Sequence, residues 1–232
     1  MALVRSVDVC VWLGTATVLN GVSVEFGARE SVAVMGPSGA GKSSLLYCLA
    51  GLRPPTSGQV LVGDVDLYAL GEDARADWRL HNAGFVFQRA DLLIELTLAE
   101  NIALPLELKG VSARTVRRRT AELIERLGLA ECADRRPGQV SGGQRQRAAV
   151  GRAVVARPSV VFADEPTGAL DSANGEVVLN LLLEQCAEVE ALLVMVTHDA
   201  ALAARCHRVV HLRDGSVDAS GSVPYRLHRA GP

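Results

Sequence analysis

The sequence predicts an α/β fold in which a mainly parallel sheet carries an inserted helical lobe. Short apolar runs bounded by Gly, Pro or Asp recur along the chain and alternate with helical segments, the pattern of a parallel sheet covered by helices. One glycine-rich turn, "GPSGAGKS", joins such a run to a helix. The region from about residue 91 to 139 reads as helices punctuated by Pro105, Gly110 and Gly128.

Strands are predicted at residues 32–35, 60–62, 84–87, 160–163, 192–196 and 209–212. Residues 112–129 place Val116, Leu123, Ile124 and Leu127 at helical spacing. Arg117, Arg118, Arg119, Glu122, Glu125 and Arg126 lie between them as a solvated face. A further helix is expected to start at Ser141 and Gln144, which have capping-box spacing, and to run through Ala156 to a stop at Pro158. "RDGSV", residues 213–217, reads as a turn between two short strands.

Bulk properties exclude several classes. An apolar content of 49% over 232 residues suffices for a buried core in one domain or in one domain with an inserted lobe. The 24 Lys and Arg nearly balance the 26 Asp and Glu, so no basic field argues for nucleic acid. Five scattered cysteines without a C-x-x-C pair argue against a disulfide framework and against zinc, and point to a reducing cytosol. There is no signal-peptide core, and the apolar run at residues 191–196 is too short to span a bilayer. A membrane role therefore requires a partner chain.

The turn at residues 36–43 is a full G-x-x-x-x-G-K-[ST] match between the strand "SVAVM" and the helical "SSLLYCLAG". Gly36, Ser38, Gly39, Ala40 and Gly41 offer backbone N–H groups to phosphate, with Pro37 in the same loop and Ser44 just beyond. The helix adds its positive N-terminal end. Lys42 contacts terminal phosphates and the Ser43 hydroxyl ligates Mg²⁺. Asp164 and Glu165 end the strand "VVFAD". Alone they read equally as a solvated pair. Beside a phosphate loop, Asp164 suits the magnesium hydration shell and Glu165 suits a base that orients or deprotonates water. Gly142 and Gly143 weaken the first turn of their helix, which suggests close approach by another group to an exposed helix N-terminus.

"SGGQRQR" resembles the signature of ATP-binding cassette (ABC) proteins, and its place after the phosphate loop and before "VVFADE" matches that family's order. The resemblance covers about residues 4–217. It implies a P-loop NTPase core at about 1–90 and 157–232 with an N-terminal antiparallel β portion, and a helical subdomain at about 91–156, all in one nucleotide-binding domain. It implies ATP and Mg²⁺ as cofactors and head-to-tail packing of two cassettes. Ser141, Gly142, Gly143 and Gln144 would then meet the γ-phosphate held by the opposite copy. Every half-site motif stands in this one chain, which favours a homodimer. By the same resemblance Gln88 senses Mg²⁺ and relays to a membrane permease, His198 contacts the γ-phosphate, Asp171 lies at the dimer interface and Trp12 stacks on adenine.

"GFVFQ", "ENIALPLELKG" and "ADEPTGALD" look most like the subgroup serving lipoprotein release, macrolide or peptide efflux, and cell-division signalling. Ser44, Val140 and the alanine of "GALD" depart from that pattern without removing a catalytic group. The expectation is an ATPase subunit on the inner face of the cell membrane that drives a separate permease. The alternative is the ATPase of a non-transporting complex that signals mechanically to an extracytoplasmic enzyme. A nucleic-acid role is disfavoured by the single cassette, the lack of a heptad insert and the balanced charge.

Overall fold

The computed structural model describes residues 2–218, which separate into two compact units, residues 2–75 with 192–218, and residues 76–191. It has the mixed α/β character that the sequence predicts.

The first unit contains an antiparallel sheet of β1 (Ala2–Leu13), β2 (Ala16–Gly27), β4 (Ser57–Val62) and β5 (Val65–Asp66), in the order β2-β1-β4-β5. Along β2, Val22, Val24 and Phe26 are buried while the residues between them face water, the period-two alternation of a sheet covered on one side. The other strands are β3 (Ser31–Met35), β8 (Leu192–Val196), β9 (Arg208–Arg213) and β10 (Ser216–Val217). β3 runs parallel to both β8 and β9, and β10 turns back antiparallel on β9 at the predicted "RDGSV" turn. β8 is buried at every residue, which explains its unbroken apolar run: both faces of a parallel strand are covered. The helices of this unit are α1 (Lys42–Leu49) and the single turn α7 (Ala200–Ala203), while α2 (Glu72–Asn82) begins here. Glu30 pairs with Arg208 at 2.9 Å and ties the start of β3 to the start of β9. Burial pushes the thiols of Cys48 and Cys206 up to about 11, so both remain protonated packing groups.

In the second unit β6 (Ala83–Val86) pairs in parallel with β7 (Val160–Asp164). Its helices are α3 (Leu98–Leu108), α4 (Ala113–Arg126), α5 (Gly142–Val154) and α6 (Ser172–Glu188). The helical stretch expected at residues 91–156 lies within this unit. α4 buries Val116, Leu123 and Ile124 as its spacing predicts, and also Thr120; Arg117 and Arg118 are exposed, and Arg126 pairs with Glu188 of α6. Pro105 was read as punctuation but lies inside α3. An interior proline costs a helix about 3 kcal/mol, and burial of Leu98, Ile102 and Leu106 on one face outweighs that loss.

Candidate nucleotide site

β3 delivers the chain into the glycine-rich turn, and the surrounding backbone explains the glycines. A Cβ on Gly36 would lie 2.0 Å from the carbonyl oxygen of Leu212, and one on Gly41 would lie 2.5 Å from that of Val18. Gly41 also has φ 93°, in the left-handed region. The loop is therefore pressed between β9 and β2 at positions where no side chain fits. Lys42 is 8% exposed, and its Nζ folds back to donate to the carbonyl oxygens of Gly36 (2.8 Å) and Pro37 (2.9 Å). Pro37, Ser38 and Gly39 are exposed, Ala40 is buried, and Ser43 and Ser44 are half-buried. α1 has no acid in its first turn and no side-chain cap from Gly41, so its positive end is presented through backbone N–H groups.

Two other predicted residues lie in the same unit. His198 is exposed just beyond β8, and the preceding Thr197 N–H bonds to the carbonyl of Val34, which stands two residues before Gly36. Trp12 is 52% exposed near the end of β1, with its backbone N–H held by Thr56 Oγ1.

The second unit carries the remaining candidates. Asp164 ends β7 and is 8% exposed. Glu165 follows with φ 45°, a left-handed conformation that turns the chain sharply, and its carbonyl accepts from Gly168 N at 3.0 Å. Two of these candidates meet at Gly168. A Cβ there would stand 2.8 Å from Gln88 Nε2 and 3.0 Å from Glu165 Oε2, so the amide and the carboxylate converge on the space that this glycine leaves.

Ser141 caps α5 as predicted: its Oγ accepts from Gln144 N at 3.2 Å, and Gln144 Oε1 accepts from Ser141 N at 2.8 Å. The helix ends at Val154, two residues short of the expectation, with Val155 as its cap. Gly142 has room around it, but Gly143 is buried, and a Cβ there would lie 3.0 Å from Asn174 Oδ1. A side chain at residue 143 would therefore press on Asn174 within this chain. Asn174 in turn donates its N–H and its Nδ2 to the carboxylate of Asp171, the cap of α6, at 3.0 and 2.7 Å. Those bonds hold the Asp171 carboxyl below its ordinary range.

Gly168, Asn174 and Gln146 were not singled out from the sequence. Gln146 is 3% exposed and donates to the carbonyl of Phe87, next to Gln88. Of these, only Gly168 left a sequence signal, as a glycine in "EPTGALD"; the contacts of Asn174 and Gln146 join segments far apart in the chain.

In the second unit the Gln88 amide and the Asp164 carboxylate offer hard oxygen donors, as the Ser43 hydroxyl does in the first. That suits magnesium, which keeps several waters and needs only one or two protein carboxylates. Among the described residues no group of three or more His, Cys, Asp or Glu could hold a metal.

The family described as "ABC transporter" matches residues 19–168. The lipoprotein-releasing system ATP-binding protein LolD of Legionella pneumophila (strain Lens) is 42% identical over 89% of this chain and 92% of its own length. The macrolide export ATP-binding/permease protein MacB 1/2 of Paracoccus denitrificans is 44% identical over 89% of this chain, which spans 31% of that longer protein. Among solved structures, the ATP-binding cassette MJ0796, a dimer in a post-hydrolysis state bound to ADP and Pi, matches with a TM-score of 0.87 and 35% identity, covering 96% of this chain and 99% of that one. None of these relatives favours the signalling alternative. With the family matched over residues 19–168 and a relative 42% identical over 89% of its length, the chain belongs to the ABC transporter family.

Proposed function

We propose the residue roles by which this chain runs the ATPase cycle of its family. The chain binds and hydrolyses ATP as the cassette subunit of an ABC transporter and works with a membrane component. Residues 36–44 hold the phosphates, Lys42 neutralises terminal phosphate charge, and Trp12 stacks on adenine. When bound, Mg²⁺ neutralises phosphate charge, and Ser43, Gln88 and Asp164 are the residues that hold it and its waters.

Glu165 accepts a proton from the attacking water, and His198 contacts the γ-phosphate. Ser141, Gly142, Gly143 and Gln144 of a second copy complete the site, with Asp171 at the dimer interface, so ATP joins two identical subunits. The observation that carries this reading is the convergence of Gln88 and Glu165 beside Gly168, which supports a base held next to a group that orients water.

Residues 91–156 serve as a helical subdomain that engages the permease. An apolar groove of about 390 Å³ between β6, α3 and α5, lined by Phe85, Phe87, Leu104, Pro105 and Leu108, fits a cytoplasmic segment of such a partner. No helix among the described residues is long and apolar enough to cross a membrane. The subunit acts from the cytoplasmic face of the membrane, held there by the permease.

The test is Glu165→Gln beside wild type, with and without Mg-ATP, read by particle size and turnover. Dimerisation only with ATP, together with a hundred- to ten-thousandfold fall in turnover, is expected for loss of a positioned base. Hydrolysis at a quarter of the wild-type rate would remove Glu165 from that role.

A further inference from the structure

Four polar side chains of α5 donate to backbone carbonyls of neighbouring segments, and two of them meet the segment that contains Gln88. Gln146 Nε2 donates to the carbonyl of Phe87 at 2.9 Å, immediately before the glutamine. Arg152 spreads its guanidinium over the two carbonyls that follow Arg89, with Nη2 to Ala90 at 2.9 Å and Nη1 to Asp91 at 2.8 Å. Gln88 and Arg89 are thus bracketed by three hydrogen bonds from a single helix.

The bracketed backbone is unusual. Ala90 and Asp91 have φ of 62° and 45°, two consecutive left-handed residues with no glycine between them. Such a conformation persists only when its surroundings over-determine it. Burial of Ala90 and the planar fork of Arg152 supply that constraint, because a charged two-pronged donor fixes both carbonyls at once.

The other two side chains serve as a comparison. Arg145 donates to the carbonyls of Pro137 and Val140, and Arg147 to those of Leu127 and Gly128 at the end of α4. They anchor α5 without touching residues 87–91.

We propose that Gln146 and Arg152 are positioning residues for Gln88, holding its flanks so that the helix capped by Ser141 sets where the glutamine amide stands beside Glu165. The proposal rests on the reading of Gln88 as a group of the nucleotide site. It makes the signature helix and the glutamine segment one mechanical piece within a single subunit.

The experiment uses the full chain and two readouts. In nucleotide-free protein, amide exchange over residues 87–91 is expected to quicken about tenfold in Arg152→Ala and in Gln146→Leu but not in Arg147→Ala. Turnover is expected to fall about tenfold in Arg152→Ala, with KM for ATP changed less than twofold, because the phosphate loop is untouched. Adding Ala90→Gly, which accepts the left-handed φ without strain, should restore part of that turnover. In a Gln88→Ala background Arg152→Ala should cost less than about twofold, since its effect passes through the glutamine. Should Arg152→Ala fail to fold, Arg152→Lys, with one compact donor group in place of the fork, takes its place.

Unchanged exchange over residues 87–91, or losses from Gln88→Ala and Arg152→Ala that multiply, would overturn the proposal. If Gln88→Ala alone leaves turnover intact, the reading of Gln88 falls, while the exchange data still decide whether the bracket exists.

Discussion

Replacing Gly168 by alanine isolates the geometry of the site from the stability of the fold. The new methyl would stand 2.8 Å from Gln88 Nε2 and 3.0 Å from Glu165 Oε2. Non-bonded heavy atoms settle at about 3.5–4.0 Å, so the amide must retreat by roughly 0.7 Å or more and the carboxylate oxygen by roughly 0.5 Å. Both contacts are the tips of flexible side chains, and Gly168 itself is exposed, so rotation relieves the clash without moving β7. Stability should change by no more than about 0.5 kcal/mol. Catalysis is less forgiving, because a misplacement near 1 Å costs up to about a hundredfold in rate. Gly168→Ala is therefore expected to bind ATP normally and melt within a few degrees of wild type, yet turn over ATP ten- to a hundredfold more slowly, about 1.4–2.7 kcal/mol in barrier. Steady-state turnover at saturating Mg-ATP, nucleotide binding and a thermal melt make the test. Turnover within twofold of wild type would refute the idea that the positions of Gln88 and Glu165 beside this glycine matter to the reaction.

Other perturbations probe separate parts of the molecule. Ser141→Ala removes the α5 cap and should cost about 1 kcal/mol in urea unfolding, with a larger effect on ATP-driven dimerisation than on ATP binding by the monomer. Burial pushes the Glu30 carboxyl up, but hydrogen bonds from Arg208 and the Gly27 N–H, with the Arg208 charge, outweigh it and hold the pKa below its ordinary 4.5. Its contribution is thus fully present above pH 4.5 and is lost as pH falls through the folded value. Melts between pH 3 and 7, on the order of that window, should show a shallower acid loss in Glu30→Gln than in wild type. Leu108 is 63% exposed on the groove wall, so Leu108→Glu should leave turnover of the isolated subunit within about twofold while weakening co-purification with the permease. Undiminished co-purification would remove the groove from the docking role.

How much was legible in advance varied with the range of the interaction. The capping box at Ser141 and Gln144 and the amphipathic stripe of α4 join residues within about four positions of one another, and the strand–loop–helix context of Lys42 is one contiguous stretch, so sequence spacing encodes all three. The fold class followed from the same local periodicities. Pro105 was misread because its penalty is local whereas the burial that overrides it comes from the rest of the unit. The contact of Gly143 with Asn174, thirty-one residues later, adds a neighbour within the chain that local spacing does not show.

The family, the phosphate-binding loop and the chemical types that an ATPase requires are all written in contiguous residues whose spacing the backbone imposes. Folding is what brings Gln88 and Glu165 to the space over Gly168, presses Leu212 and Val18 on the loop glycines, and brackets the glutamine between Gln146 and Arg152. Those contacts join segments between 3 and 176 residues apart, and all but the nearest depend on how the strands and helices pack, which no short window of sequence contains.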